Sequence, residues 1–340
     1  MKKKTIYIVS KFGFDNIGGV ERVNRYLYEI LSKRYEVKVI SKRKKPFRHG
    51  DWLFQSLYMS LSLFFKRNKL VIGTSWHSFL YPCDFSIHHG TTAGDIAAKC
   101  EEESLYKRRI SRMEQISAKI ARMNLAVSEN CRNEMISFYG IKPEKIKVLN
   151  NFVNDSVFFP LKGSESEFGG GARPGTVRIL FSGRLGARKG LEKLLELSRA
   201  IEDTDGFELR IATVSGENNY LFQGRKKTSI QTGVKFEDMN AFYNSGDVFY
   251  FPSHYEGFSM ATLEALCAGI PVIGSRYAVM PELEKYDFVK VTDSASIPEL
   301  LSDIKKIVSE NTSKKDMIHG IIKDDFGRNQ YEKKLFDLIG

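Results

Sequence analysis

Two glutamates and three cations are the residues of this 340-residue chain best suited to chemistry. Glu256 and Glu264 stand eight positions apart in FPSHYEGFSMATLEALCAGIPVIGS, residues 251 to 275. On one straight helix that spacing is about 12 Å of rise, too far for both to share a small ligand. The stretch reads instead as a strand end, a loop and a helix from Ala261 to Ala268, closed by Gly269 at the C-cap position and by Pro271. Glu256 then lies in the loop and Glu264 in the first helical turn. Both can face one ligand that also rests on the backbone N–H groups of about 259 to 263, among them Ser259, Met260, Thr262 and Leu263. Upstream, FSGRLGARKGLEKLLEL places Arg184, Arg188 and Lys189 between a strand ending at Gly183 and a helix opening near Gly190. Glycines permit close backbone approach, a helix N-terminus presents free N–H groups, and the cations add fixed charge, so the loop suits a diphosphate. Taken alone, it reads as a surface turn with solvated cations. Gly18 and Gly19, between the first strand and its helix, lack the G-x-G-x-x-G spacing and alone read as a tight turn.

These residues need a scaffold, and the hydropathy pattern supplies one. Short apolar runs at 5–10, 36–41, 69–75, 85–90, 124–128 and 145–151 alternate with amphipathic segments, the signature of a parallel sheet covered on both faces. Val20, Val23, Leu27, Ile30 and Leu31 share one face of the first helix. The pattern restarts at 177–183, with a helix near 190–201 and further strands at 207–214, 233–237, 247–253 and PVIGS. Between the halves, LKGSESEFGGGARPG (161–175) has no periodicity and reads as a solvated linker. The expected fold class is therefore α/β, with two Rossmann-like doubly wound parallel-sheet domains facing a cleft. Domain one covers 1–160 and domain two 176–324, followed by a C-terminal helix at 325–340 that would pack back on the first domain.

Composition narrows the function classes. The net charge of +11 divides unevenly: residues 1–150 carry 28 Lys and Arg against 14 Asp and Glu, whereas 151–340 carry 24 against 27. Cys83, Cys100, Cys131 and Cys267 have no CxxC spacing and no His at metal-ligand distance, which points to a reducing compartment and to no zinc site. The basic N-terminus leads only into a short strand-like run, so neither a signal peptide nor a spanning helix is expected, and the chain is expected in the cytoplasm. KRKKPFRHG (42–50) precedes a Leu- and Phe-rich run from Leu53 to Phe65, and Arg108, Arg112, Lys119 and Arg122 follow a helical pattern. Basic and aromatic helices on one domain suit an anionic membrane surface; the competing reading is a core helix with ordinary solvated charges. No nucleic-acid-binding module is readable, and no nucleic-acid partner is expected.

Several segments, in order, resemble a known family. EGFSMATLE is similar to the E-x7-E motif of the family 4 retaining glycosyltransferases of the GT-B fold, and GRLGARKG to their diphosphate loop. NNFVNDSVFFP (150–160) resembles their interdomain segment, with Phe152 and Asn154 in place of the usual Gly and Asp. AFYNSGDVFYFPS resembles the run that precedes the motif, while TVSGENNYLFQG departs from the usual G-x-G loop. The resemblance implies a hexosyltransferase that uses a nucleoside-diphosphate sugar and a glycan or lipid-linked acceptor, with no cofactor and no metal, in cell-surface polysaccharide synthesis. Arg184 and Lys189 would hold the donor diphosphate, Glu264 the ribose hydroxyls and Glu256 the transferred sugar. The backbone at Phe258, Ser259 and Met260 would contact sugar hydroxyls, and Gly18 and Gly19 would let the first domain approach. His89 of SIHHG would stand near the anomeric carbon, with His88 the alternative. The same set disfavours a catalytically inactive sugar-nucleotide-binding relative. EDTDG, with Asp203 and Asp205, resembles a metal motif of the other glycosyltransferase fold but reads better as a solvated turn.

Overall fold

The computed structural model describes residues 5–10, 19–41, 52–66, 69–77, 79–98, 104–162, 175–292 and 296–340, with backbone only at 52–55. They form two compact units, Met1–Asn151 and Phe152–Gly340.

In the first unit, chain order runs β1 (Thr5–Val9), α1 (Gly19–Ser32), β2 (Glu36–Ile40), α2 (Trp52–Phe64), β3 (Lys69–Thr74), β4 (Phe85–His88), α3 (Thr92–Ala97), α4 (Leu105–Ile120), β5 (Met123–Ala126), α5 (Glu129–Tyr139) and β6 (Ile146–Val148). The strands pair in parallel in the order β2-β1-β3-β4-β5-β6. Parallel neighbours require crossovers, and the helices provide them while covering apolar strands such as β1, buried from Ile6 to Val9. Val23, Leu27, Ile30 and Leu31 of α1 are buried as expected, whereas Val20, at its exposed start, is not.

The second unit contains β7 (Val177–Ser182), α6 (Leu191–Glu202), β8 (Phe207–Thr213), β9 (Thr228–Thr232), α7 (Met239–Asn244), β10 (Val248–Phe251), α8 (Met260–Cys267), β11 (Val272–Gly274), β12 (Val289–Val291), α9 (Ile297–Asn311), α10 (Lys315–Phe326) and α11 (Arg328–Ile339). Its parallel sheet has the order β12-β11-β10-β7-β8-β9. The strand order thus reverses between β7 and β10, the place where a doubly wound sheet opens a crevice beyond its C-terminal strand ends. A stacked ring contact crosses that pair of strands, with Phe181 and Phe251 6.1 Å apart, and Phe249 stacks on Phe251 along β10 at 5.5 Å. At the opposite end, Arg178 grips Asp247 in bidentate fashion, Nε to Oδ2 at 3.0 Å and Nη2 to Oδ1 at 2.8 Å.

Three sequence expectations change. The strand at 233–237 is not formed; β9 is TSIQT, ended by Gly233 at φ +72°, and Phe236 begins a 3-10 turn. Residues 152–160 belong to the second unit: the Val153 N–H donates to Phe326 O, the Phe159 N–H to Asn240 Oδ1 at 3.0 Å, and the Leu161 N–H to Asn244 Oδ1 at 2.8 Å. The C-terminal residues also form part of that unit, where Tyr331 packs its ring 4.5 Å from Phe152. Most of the expected linker, 163–174, lies outside the described residues, as do Gly18, Cys100 and the basic run 42–50.

Candidate functional site

The reversal in the second sheet brings the loops after β7 and β10 together. Gly190 sits at φ +76°, and a Cβ there would stand 2.3 Å from Pro252 O, so only glycine lets the first loop pass against the second. The His254 N–H donates to Arg188 O at 2.9 Å, and Arg188 Nη1 reaches Tyr255 O at 3.4 Å. Held this way, Lys189 directs Nζ to Glu256 Oε1 at 2.5 Å while lying 4.8 Å over the Phe251 ring. Ser253 Oγ donates to the same carboxylate oxygen at 3.0 Å. The Glu256 side chain is 9% exposed and that of Lys189 20%, so the pair is largely shielded from water. Arg184 is exposed at the mouth of its loop. The Glu256 carboxylate, the Lys189 ammonium and the ring beneath it form a cradle that can exchange an internal ion pair for an anionic, hydroxyl-rich ligand.

Helix α8 follows directly on the loop that carries Glu256. Ser259 is its N-cap and accepts from the Thr262 N–H at 3.2 Å, while the Leu263 N–H donates to Ser259 O. The donors of Thr262 and Leu263 are therefore already used. The helix end offers Met260 and Ala261, whose N–H groups have no intrahelical partner. The side chains of Phe258, Thr262 and Leu263 are buried, and Phe258 packs its ring 5.8 Å from Phe326. Glu264 falls in the second helical turn, not the first, because the helix begins at Met260. It is buried, and Tyr243 donates its hydroxyl to Glu264 Oε2 at 3.0 Å. Sequence reasoning missed Tyr243, which lies 21 positions upstream with no local pattern to mark it.

In the first unit, the two histidines separate cleanly. His88, the last residue of β4, is buried with Nε2 3.2 Å from Asn124 Oδ1 and 3.1 Å from Ser86 Oγ. An amide oxygen only accepts, so the Nε2 of His88 carries the proton. His89 is half-buried just beyond the strand, and its Nε2 has no hydrogen-bond partner among the described residues. Burial lowers both imidazoles to about 4, and for His89 the neighbouring His88 adds to the effect, so both are neutral near pH 7. His88 is thereby a core residue and His89 the candidate for ligand contact. Gly19 opens α1 and is exposed.

A buried carboxylate that the sequence did not mark organises the loops around His89. Glu114 accepts from Ser75 Oγ at 2.6 Å, the Thr92 N–H at 2.8 Å and the Tyr139 hydroxyl at 2.6 Å, and burial pushes its carboxyl up. Ser75 is held at φ +53°, an uncommon conformation for a non-glycine residue. Elsewhere, Asn154 accepts from the Ser156 N–H and Oγ, Asp205 lies on an exposed turn paired with Lys227, and Cys83, Cys131 and Cys267 are buried thiols. Among the described residues no three His, Cys, Asp or Glu side chains are placed to hold a metal ion, and no helix is long and apolar enough to cross a membrane.

Comparison with known proteins agrees with this architecture. Residues 17–157 match the family model described as Glycosyltransferase Family 4, and residues 164–324 the one described as Glycosyl transferases group 1. An uncharacterized glycosyltransferase of Methanocaldococcus jannaschii is 23% identical over 326 residues, covering 87% of this chain and 81% of its own length. Among solved structures, a sucrose-phosphate synthase from Thermosynechococcus elongatus superposes with a TM-score of 0.77 at 16% identity, over 99% of this chain and 98% of that one. Anabaena HepE in complex with UDP-glucose superposes with a TM-score of 0.73 at 14% identity, over 98% and 99%.

Proposed function

Because the chain belongs to the family 4 glycosyltransferases of the GT-B fold, we propose that it transfers a hexose-type sugar from a nucleoside-diphosphate sugar to a glycan or lipid-linked acceptor, with retention of configuration, in cell-surface polysaccharide synthesis. The observation that carries the reading is the Lys189–Glu256 ion pair across the two loops at the strand-order reversal. It puts one group for phosphate beside one group for sugar hydroxyls. The solved complex of a similar fold with UDP-glucose supports the donor class.

In this reading the bond between the anomeric carbon and the phosphate oxygen breaks with its electron pair going to the diphosphate. Arg184, Lys189 and the N-terminal end of α8 stabilise that developing charge, so a divalent metal is not required. Glu256 accepts from sugar hydroxyls and favours the oxocarbenium-like centre, while Glu264, oriented by Tyr243, accepts from the ribose hydroxyls. The acceptor oxygen attacks from the face the diphosphate leaves, and its proton passes to a phosphate oxygen. No protein base is assigned. Neutral His89 contributes a hydrogen bond near the anomeric carbon. The basic first half would turn toward the anionic inner face of a membrane, from the cytoplasmic side.

Thermal unfolding in the presence of UDP, GDP, dTDP, CMP or ATP, with and without EDTA, tests the donor reading, since a ligand of the folded state must raise its stability. Selective stabilisation by one nucleoside diphosphate, unchanged by EDTA, is expected. No response to any of them would overturn the diphosphate loop, and a response abolished by EDTA would overturn metal independence.

A further inference from the structure

Helix α2 wears its hydropathy inside out. Ser56 and Ser60 point into the protein, buried, with hydroxyls that find no hydrogen-bond partner among the described residues. Leu57, Tyr58, Leu61, Phe64 and Phe65 face outward. Successive residues rotate by about 100° on a helix, so Leu57, Tyr58, Leu61 and Phe64 fall within one stripe on its outer face, and Phe65 is the first residue beyond the helix end. Phe64 is 56% exposed and Phe65 89%, while Met59 and Leu63 lie in the core beside Tyr7, Val9, Val71 and Cys83. A helix whose only purpose was to cover the sheet would carry the serines outside and the leucines inside.

We infer that this outer face of α2 lies in the interfacial layer of an anionic bilayer and is the element that docks the chain there; that the surface also holds the acceptor rests on the function proposed above. The charge on either side of the helix in the sequence selects the occupant. From Lys42 to Lys69 the chain carries Lys42, Arg43, Lys44, Lys45, Arg48, Lys66, Arg67 and Lys69, and Asp51 is its one acid. Lys66 and Lys69, just beyond the helix, lie over the rings of Tyr7 and Tyr81. An apolar stripe flanked along the chain by cations matches acyl chains beneath anionic headgroups. A second copy of this chain would instead bring its own cations against these, so self-association through the face is opposed by like charge. The helix has 13 residues, too few to span a bilayer, which leaves it lying in the interface plane.

The test is sedimentation of the full chain with phosphatidylcholine vesicles, with and without phosphatidylglycerol. Wild type should bind only the anionic vesicles. Leu61→Gln combined with Phe65→Gln should lower the partition coefficient about tenfold or more, because both side chains would otherwise leave water. Both residues are exposed, so Tm should not move. The matching control, Ile116→Gln with Ile120→Gln on the exposed face of α4, should stay within about threefold of wild type. Tryptophan fluorescence of the Phe65→Trp variant should shift to the blue on anionic vesicles. Binding by the Leu61/Phe65 variant within about twofold of wild type, an unshifted emission from the Phe65→Trp variant, or a dimer that the double substitution converts to monomer would each overturn the inference. Nucleotide-dependent stabilisation, measured in parallel, separates the two readings: stabilisation without vesicle binding removes only the docking, and vesicle binding without stabilisation removes only the donor site.

Discussion

Lys189 and Glu256, 67 positions apart, meet at 2.5 Å where the strand order of the second sheet reverses. The contact joins the last cation of one βα loop to the first glutamate of another, and Ser253 adds a donor to the same carboxylate. Such a pair is costly to leave half-made in a shielded site, so each partner holds the other in place until a ligand divides them. Diphosphate would take the ammonium and sugar hydroxyls the carboxylate.

Glu256→Gln keeps the shape and removes the charge. Release of nucleoside diphosphate from the donor should slow by about 10²-fold or more, the scale for losing one preorganised group at developing charge. Nucleotide affinity, measured by calorimetry, should change little. Unchanged turnover would remove Glu256 from the mechanism.

Tyr243→Phe leaves Glu264 buried without its hydroxyl donor. A hydrogen bond to a charged group contributes about 1.5–3 kcal/mol, so nucleotide affinity should fall by roughly tenfold or more. An unchanged affinity would separate Glu264 from the nucleotide.

Gly190→Ala must absorb both a positive φ and a Cβ placed 2.3 Å from Pro252 O. A loss of at least about 1–3 kcal/mol is expected in urea unfolding. Gly186→Ala, at φ −145° and with nothing within 4 Å of its Cβ, should cost far less.

His88 and His89 give a pH signature. Each titrates at about 4 when folded, below its ordinary 6.5, so the unfolded chain takes up these protons first as pH falls. Their contribution to stability is complete above pH 6.5 and is lost progressively toward pH 4. For buried His88 alone it amounts to about 3 kcal/mol. NMR titration of the imidazoles should find both neutral at pH 5.5 in the folded protein, and a midpoint near 6.5 would contradict the burial.

The βα alternation was legible because parallel strands buried on both faces must be apolar runs, and runs such as IYIV and VFYF have no other reading at that length. The edge strands of the second sheet were not legible, unlike β2 and β6 at the edges of the first. β9 is TSIQT, polar at alternate positions, and the more apolar GVKFE beside it attracted the assignment, although Gly233 ends the strand. β12 has only three residues, too few to show a period. In the candidate site, residue types and order were enough to single out the loop cations and both glutamates as candidates, since those depend on local composition. Tyr243 with Glu264, and Glu114 with Ser75, Thr92 and Tyr139, come from contacts 21 to 39 positions apart that only the folded chain creates. The choice between His88 and His89 likewise needed the fold, because it depends on Asn124 in the neighbouring strand.

The donor site is tested most directly by the thermal shift that the best-binding nucleoside diphosphate gives to wild type and to Lys189→Gln. The wild type should gain several degrees at saturating ligand, and the variant, which keeps the fold but lacks the ammonium, should lose most of that gain. A shift of equal size in the Lys189→Gln variant would contradict a diphosphate held at the Lys189–Glu256 pair.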